Sequence, residues 1–120
     1  MRNGKVTLMS FGFKYGPPRA NYYFDVGFVK NPAREERWGF FSEPSEEMCN
    51  YVLEQDNVKE FLDLVDPLIV FLSTIDQHQV FAFGCSAGRH RSSIIVNILA
   101  KRLLEKGVVV ESKHRDKDMG

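Results

Sequence analysis

The stretch VFAFGCSAGRHRSS, residues 80–93, constrains the fold more than any other part of this chain. Val80 to Phe83 is a short, wholly apolar run, as expected for a strand buried on both faces. From Ser92 or Ser93 to Lys106 the apolar residues recur with helical spacing, which predicts a helix. Val108 to Val110 then predicts a final strand. A strand, a helix and a second strand in this order favour a parallel α/β layer.

The rest of the chain adds two strands and two helices. The β-rich segments Lys5–Phe13 and Tyr22–Val29 predict strands. Residues 45–55 suit a short helix capped by Ser42 or Ser45, and Asn57 is the expected N-cap of a longer helix, which Pro67 should kink or divide. We therefore predict a small three-layer α/β domain, with helices packed on a mixed, mostly parallel sheet of about four strands.

Length and composition indicate one folded domain, residues 1–120, with a flexible tail from residue 113. The chain has 120 residues, 43% hydrophobic and 27% charged, which is ordinary for a globular protein. No apolar run approaches the roughly 18 residues of a membrane span, so no membrane partner is expected. Two cysteines are too few for a disulfide scaffold or a zinc site. We expect no cofactor, no metal and a cytoplasmic setting.

The net charge of zero hides an asymmetry along the sequence. Residues 1–83 carry 8 Lys+Arg against 12 Asp+Glu, a net charge of −4, whereas residues 84–120 carry 8 against 4, a net charge of +4. The basic excess thus begins in the strand–loop–helix stretch. It favours an anionic partner, although a solvated helix face and a charged tail would also account for part of it.

Residues 84–92 have the features of an anion-binding loop. The amide groups at a helix N-terminus have no partner within the helix and carry a partial positive charge. The small residues 86–88 allow an oxyanion to approach the backbone, and Arg91 can add a bidentate contact to phosphate. The alternative is an ordinary strand–helix connection, with Cys85 packed as a small hydrophobe and the arginines solvated.

The same loop resembles the signature loop of the protein tyrosine phosphatases, because Cys85 and Arg91 fit the pattern C-x5-R with Ser92 next. The resemblance implies that the cysteine is a nucleophile, the arginine binds phosphate and the hydroxyl assists the leaving thiolate. Gly84 replaces the usual histidine before the cysteine, and His90 replaces the usual glycine before the arginine. Asp25 or Asp116 would have to act as the general acid.

Four blocks spread over the chain resemble another family more extensively. SFGFKYG (10–16), FDVGFVKNP (24–32), GCSAGRHRS (84–92) and SKHRD (112–116) occur in the order and approximate spacing of the RapZ C-terminal domain. This resemblance implies a small α/β domain that binds glucosamine-6-phosphate, regulatory small RNAs and protein partners, without known chemistry on the sugar. The P-loop ATPase domain of that family has no counterpart in this sequence, and the start at Met1 favours a chain that stands alone.

By this resemblance Asp25 is an acceptor for a sugar hydroxyl or amine, and Lys14 is a contact for phosphate or an RNA backbone. The sequence departs from the family at Gly27, Tyr15 and Ala33, where an arginine and two histidines are usual. The predicted ligand-binding residues are those of the loop together with these two side chains: Cys85, Ser86, Ala87, Gly88, Arg89, His90, Arg91, Ser92, Asp25 and Lys14.

The function predicted from these residues is a non-catalytic binding or sensor domain for a phosphorylated small molecule, a sugar phosphate or a nucleotide, coupled to RNA or a protein partner. One alternative is a Cys-dependent phosphatase that uses Cys85, Arg91 and Ser92. Another is an RNA-binding module, with Lys113, His114, Arg115 and Lys117 as contacts, although a solvated tail would explain these charges equally. Trp38 marks either a contact in a homo-oligomer or a loop anchor.

Overall fold

A computed structural model describes residues 4–32, 35, 37, 38 and 45–117. In chain order the elements are strand β1 (Lys5–Gly12), a 3-10 turn (Phe13–Tyr15), strand β2 (Tyr22–Asp25), helix α1 (Glu46–Leu53), helix α2 (Asp56–Ser73), strand β3 (His78–Cys85), helix α3 (Arg91–Glu105) and strand β4 (Val110–His114). The prediction of a small α/β domain with four strands is confirmed. None of the helices described here is long and apolar enough to cross a membrane.

The four strands form one sheet in the order β2-β3-β1-β4. All three strand pairs are parallel, with Leu8 of β1 beside both Phe81 of β3 and Ser112 of β4. The sheet is therefore wholly parallel, which corrects the expectation of a mixed sheet. The reason lies in the connections, because each consecutive pair of strands is joined by a crossover and none by a hairpin.

The three helices all pack on one face of the sheet. Side chains of that face, such as Leu8 and Phe83, form a single buried cluster with residues of α1, α2 and α3. From α2, the Phe61 ring meets the Phe83 ring edge-on with centroids 6.5 Å apart. Each fully buried Leu, Ile or Phe side chain contributes about 1.5–3 kcal/mol, so this cluster is the main source of stability.

The opposite face carries the link between β1 and β2, residues 13–21. A Cβ atom on Gly84 would lie 2.6 Å from the Phe13 ring, and the Tyr23 hydroxyl donates to the Pro18 carbonyl at 2.6 Å. These contacts place the link across β3. Since nine residues are too few to cross the sheet and also form a packed helix, the expected third layer is not helical in the part of the chain that the structure describes.

Helix α2 continues through Pro67 as one element, which corrects the expectation that the proline divides it. Val65 and Ile69, on either side of the proline, are buried in the core, and this packing outweighs the lost backbone hydrogen bond. Its N-cap is Gln55 rather than the expected Asn57. In α1 the Ser45 hydroxyl accepts from the Met48 amide at 3.2 Å, which confirms Ser45 as a cap; Ser42 lies outside the described residues.

The last strand lies further along the chain than expected. Val108 is buried at the end of α3, where its amide donates to the Leu103 carbonyl at 3.0 Å, and β4 begins only at Val110. Asp116 is only 1% exposed. Residues 113–117 are therefore part of the fold, which corrects the expectation of a flexible tail; residues 118–120 lie outside the described part. The other strands also differ at their ends, with β2 shorter and β3 longer than predicted.

Candidate functional site

The predicted anion-binding loop lies at the carboxyl edge of the sheet, between β3 and α3. The neighbouring strands β1 and β3 end side by side at Gly12 and Cys85. The segment after β1 crosses one face of the sheet towards β2, and the segment after β3 crosses the other face towards β4. Parallel α/β sheets bind ligands at such a point, where the two connections open a crevice.

Residues 86–88 are packed tightly against the end of β1. Gly88 has a φ of +75°, and a Cβ atom there would lie 2.5 Å from the Gly12 nitrogen. A Cβ atom on Gly12 would in turn lie 2.4 Å from the Ala87 carbonyl carbon. The Lys14 amide donates to the Ser86 carbonyl at 3.1 Å. The two glycines therefore allow β1 to hold the loop in one conformation.

Several backbone amides of this segment donate no hydrogen bond within the described part of the structure. Those of Ala87, Gly88, Arg91 and Ser92 donate to no acceptor among the residues that the structure describes. Helix α3 begins at Arg91 without a side-chain cap and without an acidic residue in its first turn. The partial positive charge of the helix N-terminus is therefore not offset locally.

The Arg91 guanidinium adds a full positive charge to this edge. It donates to the carbonyls of Gly27 at 2.9 Å and Val29 at 3.3 Å, and to the Ser86 hydroxyl at 3.1 Å. All three acceptors are uncharged, and no described carboxylate lies within ion-pair distance of this side chain. The contacts orient the arginine without neutralising it.

Arg91 stands between two adjoining cavities. The smaller measures about 30 Å³ and is lined by loop residues and by Asn31 of the segment after β2: Asn31, Cys85, Ser86, Ala87, Arg89, His90 and Arg91. The larger measures about 510 Å³ and extends over the segment that follows β2, with Gly27, Phe28, Val29, Lys30, Asn31, Glu35, Tyr51, Ser86 and Arg91 in its wall. Arg91, Ser86 and Asn31 belong to both cavities, so one ligand can occupy the two together.

The wall of the larger cavity is mixed in chemistry. It holds the cations of Lys30 and Arg91, the carboxylate of Glu35 and the phenol of Tyr51, whose hydroxyl donates to the Glu35 carboxylate at 3.5 Å. Burial raises the pKa of Tyr51, and Glu35 raises it further, while Arg37 acts in the opposite direction. The phenol therefore stays protonated and can donate a hydrogen bond to a polar ligand.

Cys85 is 3% exposed, and its thiol donates to the Ser92 hydroxyl at 3.3 Å. Ser92 donates onward to the Phe11 carbonyl at 3.4 Å. The sulfur thus lies at the floor of the smaller cavity, in a chain of hydrogen bonds that ends on the backbone of β1.

Neither Asp25 nor Asp116 is placed to act as a general acid beside this thiol. Burial alone would raise the pKa of Asp116, but hydrogen bonds from Arg115 and from the Gly12 amide lower it below its usual value, so the carboxyl is ionised. Asp25 accepts the Gly27 amide at 2.8 Å and closes a turn after β2. The cavity around Cys85 is lined by neither of them.

The structure thus brings residues 85–87 and 89–91 together around the smaller cavity. Gly88 packs against the end of β1, and Ser92 lies beside Cys85. Two other predicted residues are not at this cavity. Asp25 caps its turn outside both cavities. The Lys14 ammonium lies 5.2 Å from the centre of the Tyr15 ring, and neither cavity is lined by Lys14. Of the three departures from the family pattern, Gly27 lines the larger cavity, Tyr15 lines neither cavity, and Ala33 lies outside the described residues.

The four predicted RNA contacts do not share one surface. Lys113 lies 3.7 Å from a carboxylate oxygen of Glu111. His114 points to the other face of β4, between the Ser10 hydroxyl at 2.7 Å and the Asn97 amide oxygen at 2.9 Å. Arg115 pairs with Asp116 at 2.7 Å, and Lys117 offers its carbonyl to Arg89 at 2.9 Å. At least His114 and Arg115 hold the fold together.

The residues that follow β2 were not among the ligand-binding residues predicted from the sequence. Phe28, Lys30 and Asn31 lie in the block FDVGFVKNP, and they form one wall of the larger cavity together with Glu35 and Tyr51. Because neighbouring parallel strands end at the same edge of the sheet, the residues that follow β2 lie close to those that follow β3. In the described residues no group of three or more His, Cys, Asp or Glu side chains is placed to hold a metal ion.

Comparison with known proteins identifies the family. A family model described as the RapZ C-terminal domain matches residues 4–118. Similar proteins include a nucleotide-binding protein of Clostridium novyi, 41% identical over 117 residues, which are 92% of this chain and 40% of that protein. Nucleotide-binding proteins of Fusobacterium nucleatum and Acidobacterium capsulatum are 37% and 36% identical, over 98% and 92% of this chain and 44% and 38% of their own lengths. This chain spans about two fifths of such relatives, and it belongs to the RapZ C-terminal domain family.

Proposed function

We propose that this chain is a non-catalytic domain that binds a phosphorylated small molecule, with the phosphate on the loop between β3 and α3. The observation that carries this proposal is a loop in which the amides of Ala87, Gly88, Arg91 and Ser92 donate to no described acceptor. The guanidinium of Arg91 belongs to the same loop, and no described carboxylate neutralises it. Backbone amides at a helix N-terminus and a planar guanidinium are the groups that bind phosphate in proteins.

The larger cavity would hold the rest of the ligand. Its volume of about 510 Å³ is typical of small-molecule sites, and it shares Ser86 and Arg91 with the phosphate end. The carboxylate of Glu35 can accept from hydroxyl or amino groups, and the rings of Phe28 and Tyr51 can pack on a sugar or a base. These groups suit a sugar phosphate or a nucleotide better than a free phosphate ion.

The names of the relatives support a nucleotide as one candidate ligand. Those names describe proteins of which this chain spans about two fifths, so a nucleotide has to be tested on this domain directly. The same holds for the coupling to RNA or a protein partner, which stays a prediction of the family resemblance.

The direct test is calorimetric titration of the chain with inorganic phosphate, glucosamine-6-phosphate, AMP and ATP. We expect at least one organic phosphate to bind more tightly than inorganic phosphate, and Arg91→Ala to weaken that binding at least tenfold, since a charge-assisted contact is worth about 1.5–3 kcal/mol. Arg19→Ala is the matched control, because Arg19 is exposed and lines neither cavity. Binding that is absent for every compound, or that is equal in both variants, would refute the proposal.

A further inference from the structure

The three residues that follow β4 lie against the surroundings of the candidate phosphate-binding loop. β4 ends at His114, and the Arg115 amide still donates to the Ser10 carbonyl of β1 at 3.1 Å. Asp116 comes next and is only 1% exposed. We call residues 115–117 the clasp, because they contact the site at two separate places.

The first contact of the clasp is with the end of β1. The Asp116 carboxylate accepts the Gly12 amide at 2.8 Å. A Cβ atom on Gly88 would lie only 2.5 Å from this same Gly12 nitrogen. The Gly12 peptide group therefore lies between the carboxylate and the loop, so a displacement of Asp116 passes to Gly88 by direct contact.

The second contact of the clasp is with a residue of the smaller cavity. The Arg89 guanidinium donates to the Lys117 carbonyl at 2.9 Å, and Arg89 also lines that cavity. A phosphate group in the cavity would attract this guanidinium. One side chain thus contacts both the clasp and the space that we assign to the phosphate.

The ion pair within the clasp acts on the site through position rather than charge. The Arg115 guanidinium donates to both oxygens of the Asp116 carboxylate, at 2.9 Å and 2.7 Å. The two opposite charges offset each other, so the pair itself does little to attract or repel an anion. What Asp116 supplies to the loop is a fixed acceptor for the Gly12 amide.

We propose that Asp116 is a positioning residue of the phosphate site, which acts through Gly12 on the loop, so that ligand affinity depends on the clasp being in place. This inference rests on the proposed function, because it concerns the same site. Coupling of this kind is reciprocal, so a ligand that binds better with the clasp in place also holds the clasp against the sheet. Any event that displaces the clasp would therefore release the ligand.

The first test is calorimetric titration of the wild type and Asp116→Asn with glucosamine-6-phosphate, AMP and ATP, at a temperature where circular dichroism shows both proteins folded. Charge and position predict opposite results. The substitution removes a carboxylate and leaves Arg115 without its partner, which by itself would tighten the binding of an anion. We expect binding to weaken instead, by about tenfold, a ratio typical of coupled sites, because the loop amides lose their fixed position.

Asp63→Asn is the matched control for the change in charge. Asp63 pairs with Arg102 at 3.1 Å and lines neither cavity of the site, so the variant also loses a carboxylate beside an arginine but leaves the loop untouched. We expect it to bind like the wild type. If Asp116→Asn binds as tightly as the wild type, or more tightly, the inference is overturned while the proposed function stands. If the wild type binds none of the three compounds, both are refuted.

Hydrogen exchange of the wild type tests the reciprocal effect and needs no variant. Saturation with whichever of the three compounds binds most tightly should slow the exchange of the Gly12 and Arg115 amides. The internal reference is the Val6 amide at the other end of β1, which donates to the Val109 carbonyl at 2.9 Å. A general gain in stability would slow all three amides alike, whereas coupling through the clasp slows Gly12 and Arg115 more than Val6. Equal slowing, or none at Gly12 and Arg115, overturns the inference even where Asp116→Asn does not fold.

Discussion

The Asp116 carboxylate accepts a hydrogen bond from the backbone amide of Gly12 at 2.8 Å, across 104 residues of sequence. Arg115 holds the same carboxylate at 2.7 Å. Gly12 is the last residue of β1 and lies directly against Ala87. The segment after β4 therefore fixes the end of the strand on which the candidate phosphate-binding loop rests.

The first prediction concerns the stability that Asp116 provides. Replacing Asp116 with Asn should lower the free energy of unfolding at pH 7 by about 2 kcal/mol, because a buried carboxylate loses its charge-assisted hydrogen bonds. Chemical denaturation measures this change. Glu111→Gln is the control, since Glu111 is half-exposed and its ion pairs with Lys5 and Lys113 are long; a similar loss in both variants would contradict the prediction.

The second prediction concerns the pH dependence of that stability. The folded protein holds the pKa of Asp116 below its usual value, which is about 3.9 in an unfolded chain. The stabilisation is therefore complete well above pH 3.9, and it is lost as the pH falls from there through the folded pKa. The wild type should lose more stability than Asp116→Asn over this acidic range, measured by denaturation at several pH values. Parallel curves for the two proteins would show that Asp116 has no lowered pKa.

The third prediction concerns the glycines around the loop. Gly88→Ala should destabilise the fold by about 1–3 kcal/mol more than Gly16→Ala. Both positions have a positive φ, but a Cβ atom at Gly88 would strike the backbone of β1, whereas one at Gly16 meets nothing within 4 Å. Denaturation of the two variants gives the difference. We also expect only Gly88→Ala to weaken the binding of an organic phosphate. Equal binding by the two variants would mean that the site tolerates a displacement of the loop away from β1.

The fourth prediction concerns catalysis. We expect no turnover of para-nitrophenyl phosphate between pH 5 and 8, because the Cys85 thiol donates to Ser92 and neither Asp25 nor Asp116 lies in its cavity. The comparison is between the wild type and Cys85→Ser. Turnover by the wild type that disappears in the variant would support a Cys-dependent phosphatase.

The fifth prediction separates RNA binding from folding. Truncation after residue 112 should destabilise the chain far more than truncation after residue 117, because it removes the end of β4, the His114 contacts and Asp116. Circular dichroism and thermal unfolding measure this effect. RNA binding is therefore better tested with Lys113→Gln, whose exposed side chain has a long ion pair. Affinity that falls with salt and drops in this variant would support an RNA site there.

The sequence alone predicted the region from Val80 to Lys106 well, because its apolar spacing is strong and its loop has few alternatives. It misplaced β4, since an edge strand with alternating polarity is less apparent than the run Val108 to Val110. It also allowed for a division of α2 at Pro67, which does not occur, because a single residue's preference cannot reveal how firmly the neighbouring side chains are packed.

The candidate site was predicted in part. The loop residues are contiguous, so their composition suffices to suggest a phosphate contact. The larger cavity joins residues after β2, one of the residues before α1 and a side chain of α1, and only the order of the strands brings these together. Asp25 was predicted to bind a ligand, but its carboxylate oxygen accepts a hydrogen bond from the Gly27 amide within the turn after β2.

The position of β1 has a consequence for how this chain folds. Val6 pairs with Gln79 on one side and with Val110 on the other, so β1 has no neighbour in the sheet until β3 has been synthesised, and its second neighbour, β4, is the last of the four described strands. Folding that depends on such distant pairings is slow. Until β3 has been synthesised, β1 therefore cannot pair within the sheet, and its apolar side chains stay exposed to other molecules.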